Sequence, residues 1–72
     1  MTTVAQSVGQ ALPLEMARVR DEVMPAYVKV GAPGIFALTM MRASLDRAAK
    51  ALAEGDAVEC IRAYEDLKGY TL

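Results

Sequence analysis

The sequence predicts a small all-α protein, a hairpin or bundle of three helices, or of four if Pro25 divides the first. Apolar residues recur at spacings of three and four along most of the chain, which is typical of amphipathic helices. Glycine and proline separate these patterns at residues 31–34 and at Gly55. The one run rich in strand-forming residues, 27–30, is short and has no second run to pair with.

The first helix is predicted over residues 12–30, after a flexible arm at residues 1–11 that carries little apolar pattern. Pro13 suits the first turn, where the amide hydrogen that proline lacks would have no partner. One apolar face follows, formed by Met16, Val19, Val23, Tyr27 and Val30. Pro25 lies within it and would clash with the preceding turn of a regular helix. The helix therefore kinks near residues 21–24 or ends there, and the continued spacing favours the kink.

The second helix is predicted over residues 34–54, and it carries two apolar edges. The first edge has heptad spacing, at Leu38, Met41, Leu45, Ala48 and Leu52. The second edge widens it near the helix start, at Ile35, Phe36, Met40 and Ala43. A neighbouring row alternates in charge, at Arg42, Asp46, Lys50 and Glu54, as a solvated flank does. One neighbouring helix would not cover both edges, so we expect contacts with several helices or with a second subunit.

The third helix is predicted over residues 56–68, and residues 12–72 then form one helical domain. Gly55 ends the second helix, and Asp56 is a good N-cap for the third. Glu59 lies three residues later, where its side chain can bond back to the cap. The apolar face contains Ala57, Cys60, Ile61, Tyr64 and Leu67.

The segment at residues 54–67 resembles the turn and second helix of a tetratricopeptide unit. The matching positions are Gly55, Asp56, Glu59, Cys60, Ile61 and Tyr64. The sequence holds no second copy, and stacked repeats need several units. We therefore interpret the segment as a general helical hairpin.

The C-terminal half, from MMRASLDRAAKALAEGD to AYEDLKGY, resembles small proteins of Mu-like transposable phages and prophages. The likeness is one of composition and order. It implies an accessory protein that binds and inhibits a bacterial host protein, and it implies no particular functional residues.

The chain is short for its apolar content, since 54% of its 72 residues are hydrophobic. A domain of this size buries only about 60% of the surface that its unfolded chain exposes. Cys60 is the single cysteine and histidine is absent, so an internal disulfide and the common zinc ligand sets are not expected. Oligomerisation remains, and we predict a homodimer with antiparallel subunits favoured. Self-association is assigned to Ile35, Phe36, Met40 and Met41.

A net charge of −1 disfavours binding to nucleic acid or to an anionic membrane, because both need a basic surface. A secretory signal would need a basic residue near its start, and none precedes Arg18. The longest uncharged internal run, 30–41, is too short to span a bilayer. These features predict a soluble cytoplasmic protein whose thiol stays reduced.

Catalysis is not expected either. Histidine, the usual general base, is missing, and Cys60 falls on an apolar helix face where a thiol is unreactive. No phosphate-binding loop, cofactor motif or dense carboxylate set is present. We therefore predict a protein that is not an enzyme and has no cofactor and no metal.

The predicted function is protein–protein interaction, by a regulatory or inhibitory binder of a host or bacterial protein. Tyr27, Tyr64 and Tyr70 are assigned as exposed anchors, since aromatic residues dominate interface energetics. Methionines near the break at 31–34 suit either a dimer core or a groove for another protein. Two alternatives are a helix-turn-helix DNA-binding regulator and a structural subunit of a larger assembly. The first is disfavoured because Asp56 and Glu59 would repel phosphate.

Overall fold

The computed structural model describes residues 4–71, with side chains from residue 8. It contains four α-helices, namely α1 Val4–Arg18, α2 Met24–Val30, α3 Ile35–Glu54 and α4 Ala57–Lys68. A π-helical turn, Val19–Val23, joins α1 to α2 without a break, and a 3-10 turn, Ala32–Gly34, leads into α3. The described residues thus form three helical rods and no strand, which confirms the predicted all-α bundle.

The rods lie side by side in an elongated molecule of 44 × 20 × 15 Å. α4 packs on α1 and on α3, while α2 packs on α3. At about 1.5 Å per residue, the 12 residues of α4 span only about 18 Å, against about 30 Å for the 20 residues of α3. α4 is therefore too short to cover α3 along its whole length.

The core lies where all three rods meet. Its members are Val8, Leu12, Val19, Val23, Met41, Ala48, Ala51, Cys60, Ala63 and Leu67. The heptad edge predicted for α3 points into the bundle, because Leu38, Met41 and Ala48 are buried and Leu45 and Leu52 are half-buried. The predicted row of alternating charges at residues 42–54 is exposed.

The structure corrects the predicted start of the first helix. α1 begins at Val4 instead of residue 12, and Pro13 lies inside it. Val8 and Leu12 are four residues apart and are 8% and 0% exposed, so this segment is part of the core. In the sequence, this pair spans a single helical turn among small and polar residues, so the apolar pattern was too short to predict a helix. The part of the predicted arm at residues 1–3 lies outside the described residues.

Pro25 does not divide the helix, so the alternative in which the first helix ends there is wrong. The preceding turn is widened instead, because the Met24 amide donates to the Val19 carbonyl, five residues back. A π turn of this kind moves the preceding carbonyls away from the ring of a following proline. The helical chain therefore continues into α2, with Pro25 in the first turn of α2.

The turn between α2 and α3 holds the two helices unusually close. Gly31 ends α2 with φ of 83°, and its carbonyl accepts a 2.8 Å hydrogen bond from the Gly34 amide. A Cβ atom placed on Gly34 would lie 2.5 Å from the carbonyl oxygen of Tyr27. This close backbone approach requires a glycine at position 34.

The turn between α3 and α4 uses the predicted residues. Gly55 adopts φ of 66°, and the Asp56 carboxylate accepts a 3.1 Å hydrogen bond from the Glu59 amide. The predicted return bond from Glu59 to the cap does not form. The Asp56 amide donates to the Ala51 carbonyl, while the Glu59 carboxylate accepts from Arg62 at 2.8 Å.

Polar contacts fix the end of α4 and the tail after it. Arg18 donates to the Leu67 carbonyl at 3.1 Å and also donates to the Glu15 carboxylate at 3.1 Å. The hydrogen bond to Glu15 raises the pKa of the Arg18 guanidinium above its ordinary value. Further along, the hydroxyls of Tyr70 and Ser44 lie 2.9 Å apart.

The Tyr70→Phe variant is expected to lower the free energy of unfolding by about 1 kcal/mol, because Ser44 is 1% exposed and would lose its hydroxyl partner. Urea denaturation measures the change. The Tyr64→Phe variant is the matched control, since the Tyr64 hydroxyl donates to none of the described residues; it should change stability by less than about 0.5 kcal/mol. Equal effects of the two variants would refute a role for the Tyr70–Ser44 contact.

Candidate interaction surface

The α2–α3 end of the molecule exposes large apolar side chains that the fold leaves uncovered. They are Val28 (60% exposed), Val30 (59%), Ile35 (60%), Phe36 (78%) and Met40 (46%), hereafter the apolar tip. Contiguous apolar patches on a small protein commonly mark sites of interaction. The apolar tip is therefore the candidate functional surface.

The short length of α4 explains why the tip is bare. The tail that follows α4 contacts the middle of α3 through Tyr70 and Ser44. α3 also packs on α2, and α4 is shorter than α3. A pair of helices can bury only the faces that they turn toward each other, so the outer faces remain in water.

The charge of this end differs from that of the whole chain. Between residues 24 and 43 the charged residues are Lys29 and Arg42, and both are exposed. The chain as a whole has a net charge of −1. The apolar tip is thus bordered by cations, while the acidic residues lie on other parts of the molecule.

Four residues were predicted to mediate self-association, and they fall into two groups. Ile35, Phe36 and Met40 are exposed on the tip, as an interface residue of the free chain must be. Met41 is 1% exposed and belongs to the core of the single chain. Its assignment to the subunit interface is corrected, because the next position on a helix is rotated by about 100° and points inward.

The three tyrosines are not the exposed anchors that the sequence predicted. Tyr27, Tyr64 and Tyr70 are half-buried and pack against the core. The Tyr27 hydroxyl donates to the Thr71 carbonyl at 3.4 Å, and the Lys68 ammonium lies 5.3 Å from the centre of the Tyr64 ring. Each ring lies against apolar neighbours while its hydroxyl stays at the edge, as amphipathic residues often do.

Two residues of the tip were missed. Val30 was assigned to the buried face of the first helix, but it is 59% exposed. Val28 lies outside the spacing of three and four that defines this face. An apolar residue off the stripe is a weak signal that could have indicated an outer apolar surface.

Two other features of the described structure, Cys60 and a groove between α3 and α4, are weaker candidates for a functional site. Cys60 is 6% exposed and lies in the core, where the sequence placed it. An open groove of about 400 Å³ between α3 and α4 is lined by charges of both signs. Two ion pairs lie in this groove, Arg47 with Asp66 at 3.5 Å and Arg62 with Glu59 at 2.8 Å.

Residues 4–71 hold neither a cluster of metal ligands nor a helix that could span a membrane. No three cysteine or carboxylate side chains in this part of the chain converge as metal ligands would. No helix in it combines the length and the apolar character that crossing a membrane requires.

Comparison with protein families, with characterised proteins and with solved structures finds no significant match to this chain. The resemblance to Mu-like phage proteins therefore stays a prediction, as does the local tetratricopeptide likeness.

Proposed function

We propose that this protein is a regulatory or inhibitory binder that docks onto a target protein through its apolar tip. The observation that carries the proposal is the exposure of Phe36, which is 78% exposed at the end of the molecule that carries four other exposed apolar side chains. A large aromatic residue in such a position is a typical interface anchor. The resemblance to phage accessory proteins supports a bacterial target, and the proposed location is the cytoplasm.

The chemistry of the tip indicates what the target must offer. Apolar side chains need a cleft of similar character, since their removal from water is the main favourable term in association. Lys29 and Arg42 lie at the border, where opposite charges favour the encounter. The target therefore presents an apolar cleft with acidic groups at its rim.

The rival proposal of a DNA-binding helix finds less support. α4 would be the recognition helix, and its N-terminal end carries Asp56 and Glu59. These carboxylates would face the phosphates that such a helix approaches. The N-terminal end of α4 therefore lacks the excess of cations that DNA binding needs.

The test begins with a photoreactive amino acid at position 36. It crosslinks the target inside cells that produce the protein, and the crosslinked target is then identified. The affinity of the purified target is then measured for two variants. The Phe36→Glu variant should weaken binding by at least about tenfold, because a hot-spot anchor is replaced by a charge facing an acidic rim.

The Val58→Glu variant is the matched control. Val58 is 57% exposed and lies on α4, away from the tip. A carboxylate in the first turn of α4 is favourable to the helix, so the fold should not suffer. The proposal is wrong if Phe36→Glu binds the target as the unaltered chain does, or if Val58→Glu weakens binding equally.

A further inference from the structure

A second surface runs along the outer side of α3. Its positions alternate steps of four and three, at Ile35, Thr39, Arg42, Asp46, Ala49 and Ala53. All six residues are exposed, although this spacing is the one by which helices pair. α3 therefore carries one heptad row that the bundle buries and a second row that it leaves bare, hereafter the outer row.

The two charges at the centre of the outer row have no ionic partner among the described side chains. The ion pairs of the described structure involve Arg18, Arg20, Arg47 and Arg62 with carboxylates elsewhere. Arg42 and Asp46 thus remain available to a charged neighbour outside the chain.

A second copy of the chain supplies matching charges in one orientation. If two α3 helices lie antiparallel about a twofold axis midway between residues 42 and 46, Arg42 lies opposite Asp46 of the partner subunit. The symmetry repeats this contact with the roles exchanged. Parallel pairing would place each charge opposite its own kind, which is unfavourable. The charge pattern therefore selects the antiparallel pair.

The sizes of the side chains agree with the same axis. It brings Ile35 opposite Ala53 of the partner subunit. It also brings Thr39 opposite Ala49 of the partner subunit. Each layer then combines a larger residue with alanine, so the two helices can keep one close separation along the row.

We propose that the outer row of α3 is the seam of an antiparallel homodimer, with its twofold axis between Arg42 and Asp46. Of the residues predicted for self-association, this seam keeps Ile35 and takes its other contacts from the outer row. The seam shares Ile35 with the apolar tip and Arg42 with its border, while Phe36 and Met40 lie outside the row. Dimerisation can therefore be measured without the target, although the two surfaces meet at Ile35. The Phe36 positions of the two subunits would then be about 24 Å apart along the axis, at opposite ends, so that the dimer presents two tips.

The test reverses the charges at positions 42 and 46 of the seam. In the Arg42→Asp variant both seam contacts become carboxylate against carboxylate, and in Asp46→Arg both become cation against cation. Each variant alone should dimerise at least about tenfold more weakly than the unaltered chain. Sedimentation equilibrium measures the dissociation constants, and native mass spectrometry distinguishes the species by mass.

Mixing the two variants should restore dimers, and these should be predominantly heterodimers. The carboxylates at positions 42 and 46 of one subunit then face the guanidinium groups at positions 46 and 42 of the other. The double variant Arg42→Asp/Asp46→Arg should pair with itself, because each of its seam contacts again joins opposite charges. The Glu65→Arg variant, at an exposed site on α4, is the control for a change of net charge and should dimerise normally.

The seam is refuted if the unaltered chain is monomeric at every concentration measured, or if the mixture forms no heterodimer. It is also refuted if Glu65→Arg dissociates the dimer as strongly as Asp46→Arg does. Binding of the target at the tip is a separate measurement. If the charge-swapped variants dimerise as expected but the protein binds no target, the proposed function is refuted and the seam is not affected.

Discussion

Replacing Leu12 by alanine is expected to lower the free energy of unfolding by about 2–5 kcal/mol. Leu12 is 0% exposed and belongs to the core, so the truncation removes packed methyl groups and leaves a cavity. At about 0.05–0.15 kcal/mol per residue, a domain of this length has only about 4–11 kcal/mol in total. Urea denaturation at one fixed protein concentration measures the loss, since dimer formation would make stability depend on concentration.

The Leu14→Ala variant is the control in the same helix. Leu14 is 73% exposed, so its truncation should change the free energy of unfolding by less than about 0.5 kcal/mol. Equal losses in the two variants would contradict the packing of α1. A small loss in both would mean that Leu12 is not packed in the core and that the flexible arm predicted at residues 1–11 extends as far as Leu12.

The α3–α4 hairpin could be predicted almost to the residue because its signals are local. Gly55 provides the left-handed backbone that ends α3, and the Asp56 carboxylate caps α4. Neither feature depends on what packs nearby. Only the return bond from Glu59 was wrong, because Arg62 one turn further along α4 takes its carboxylate.

The start of α1 could not be predicted in the same way. Val8 and Leu12 make a single apolar turn among small and polar residues, and such a turn is too short to identify a helix. Their burial comes from packing against α4, which joins residues about fifty positions apart. Local propensity carries no information about that contact.

The candidate surface was predicted in part. The second apolar edge of α3 indicated that Ile35, Phe36 and Met40 need more cover than one helix provides, and they are exposed. Which side of α3 stays bare depends on how far α4 reaches, and the sequence does not show that reach. The tyrosines were misassigned because their burial depends on contacts between distant parts of the chain, such as that of Tyr27 with Thr71.

Replacing Gly34 by alanine is expected to lower the free energy of unfolding by about 1–3 kcal/mol. The new Cβ atom would lie 2.5 Å from the Tyr27 carbonyl oxygen. A backbone atom cannot rotate away as a side chain can, so α2 and α3 must move apart. Urea denaturation measures the loss of stability, and amide hydrogen exchange should show faster opening of α2.

The Gly9→Ala variant is the matched control, with the opposite expected sign. Gly9 lies inside α1, and a Cβ atom there would meet none of the described atoms within 4 Å. Alanine should therefore stabilise the helix by about 0.5–1 kcal/mol. Because the tip residues lie on α2 and α3, Gly34→Ala should also weaken binding of the target, while Gly9→Ala should not. A Gly34→Ala variant as stable as the unaltered chain would show that the two helices are not in the close contact on which the shape of the tip depends.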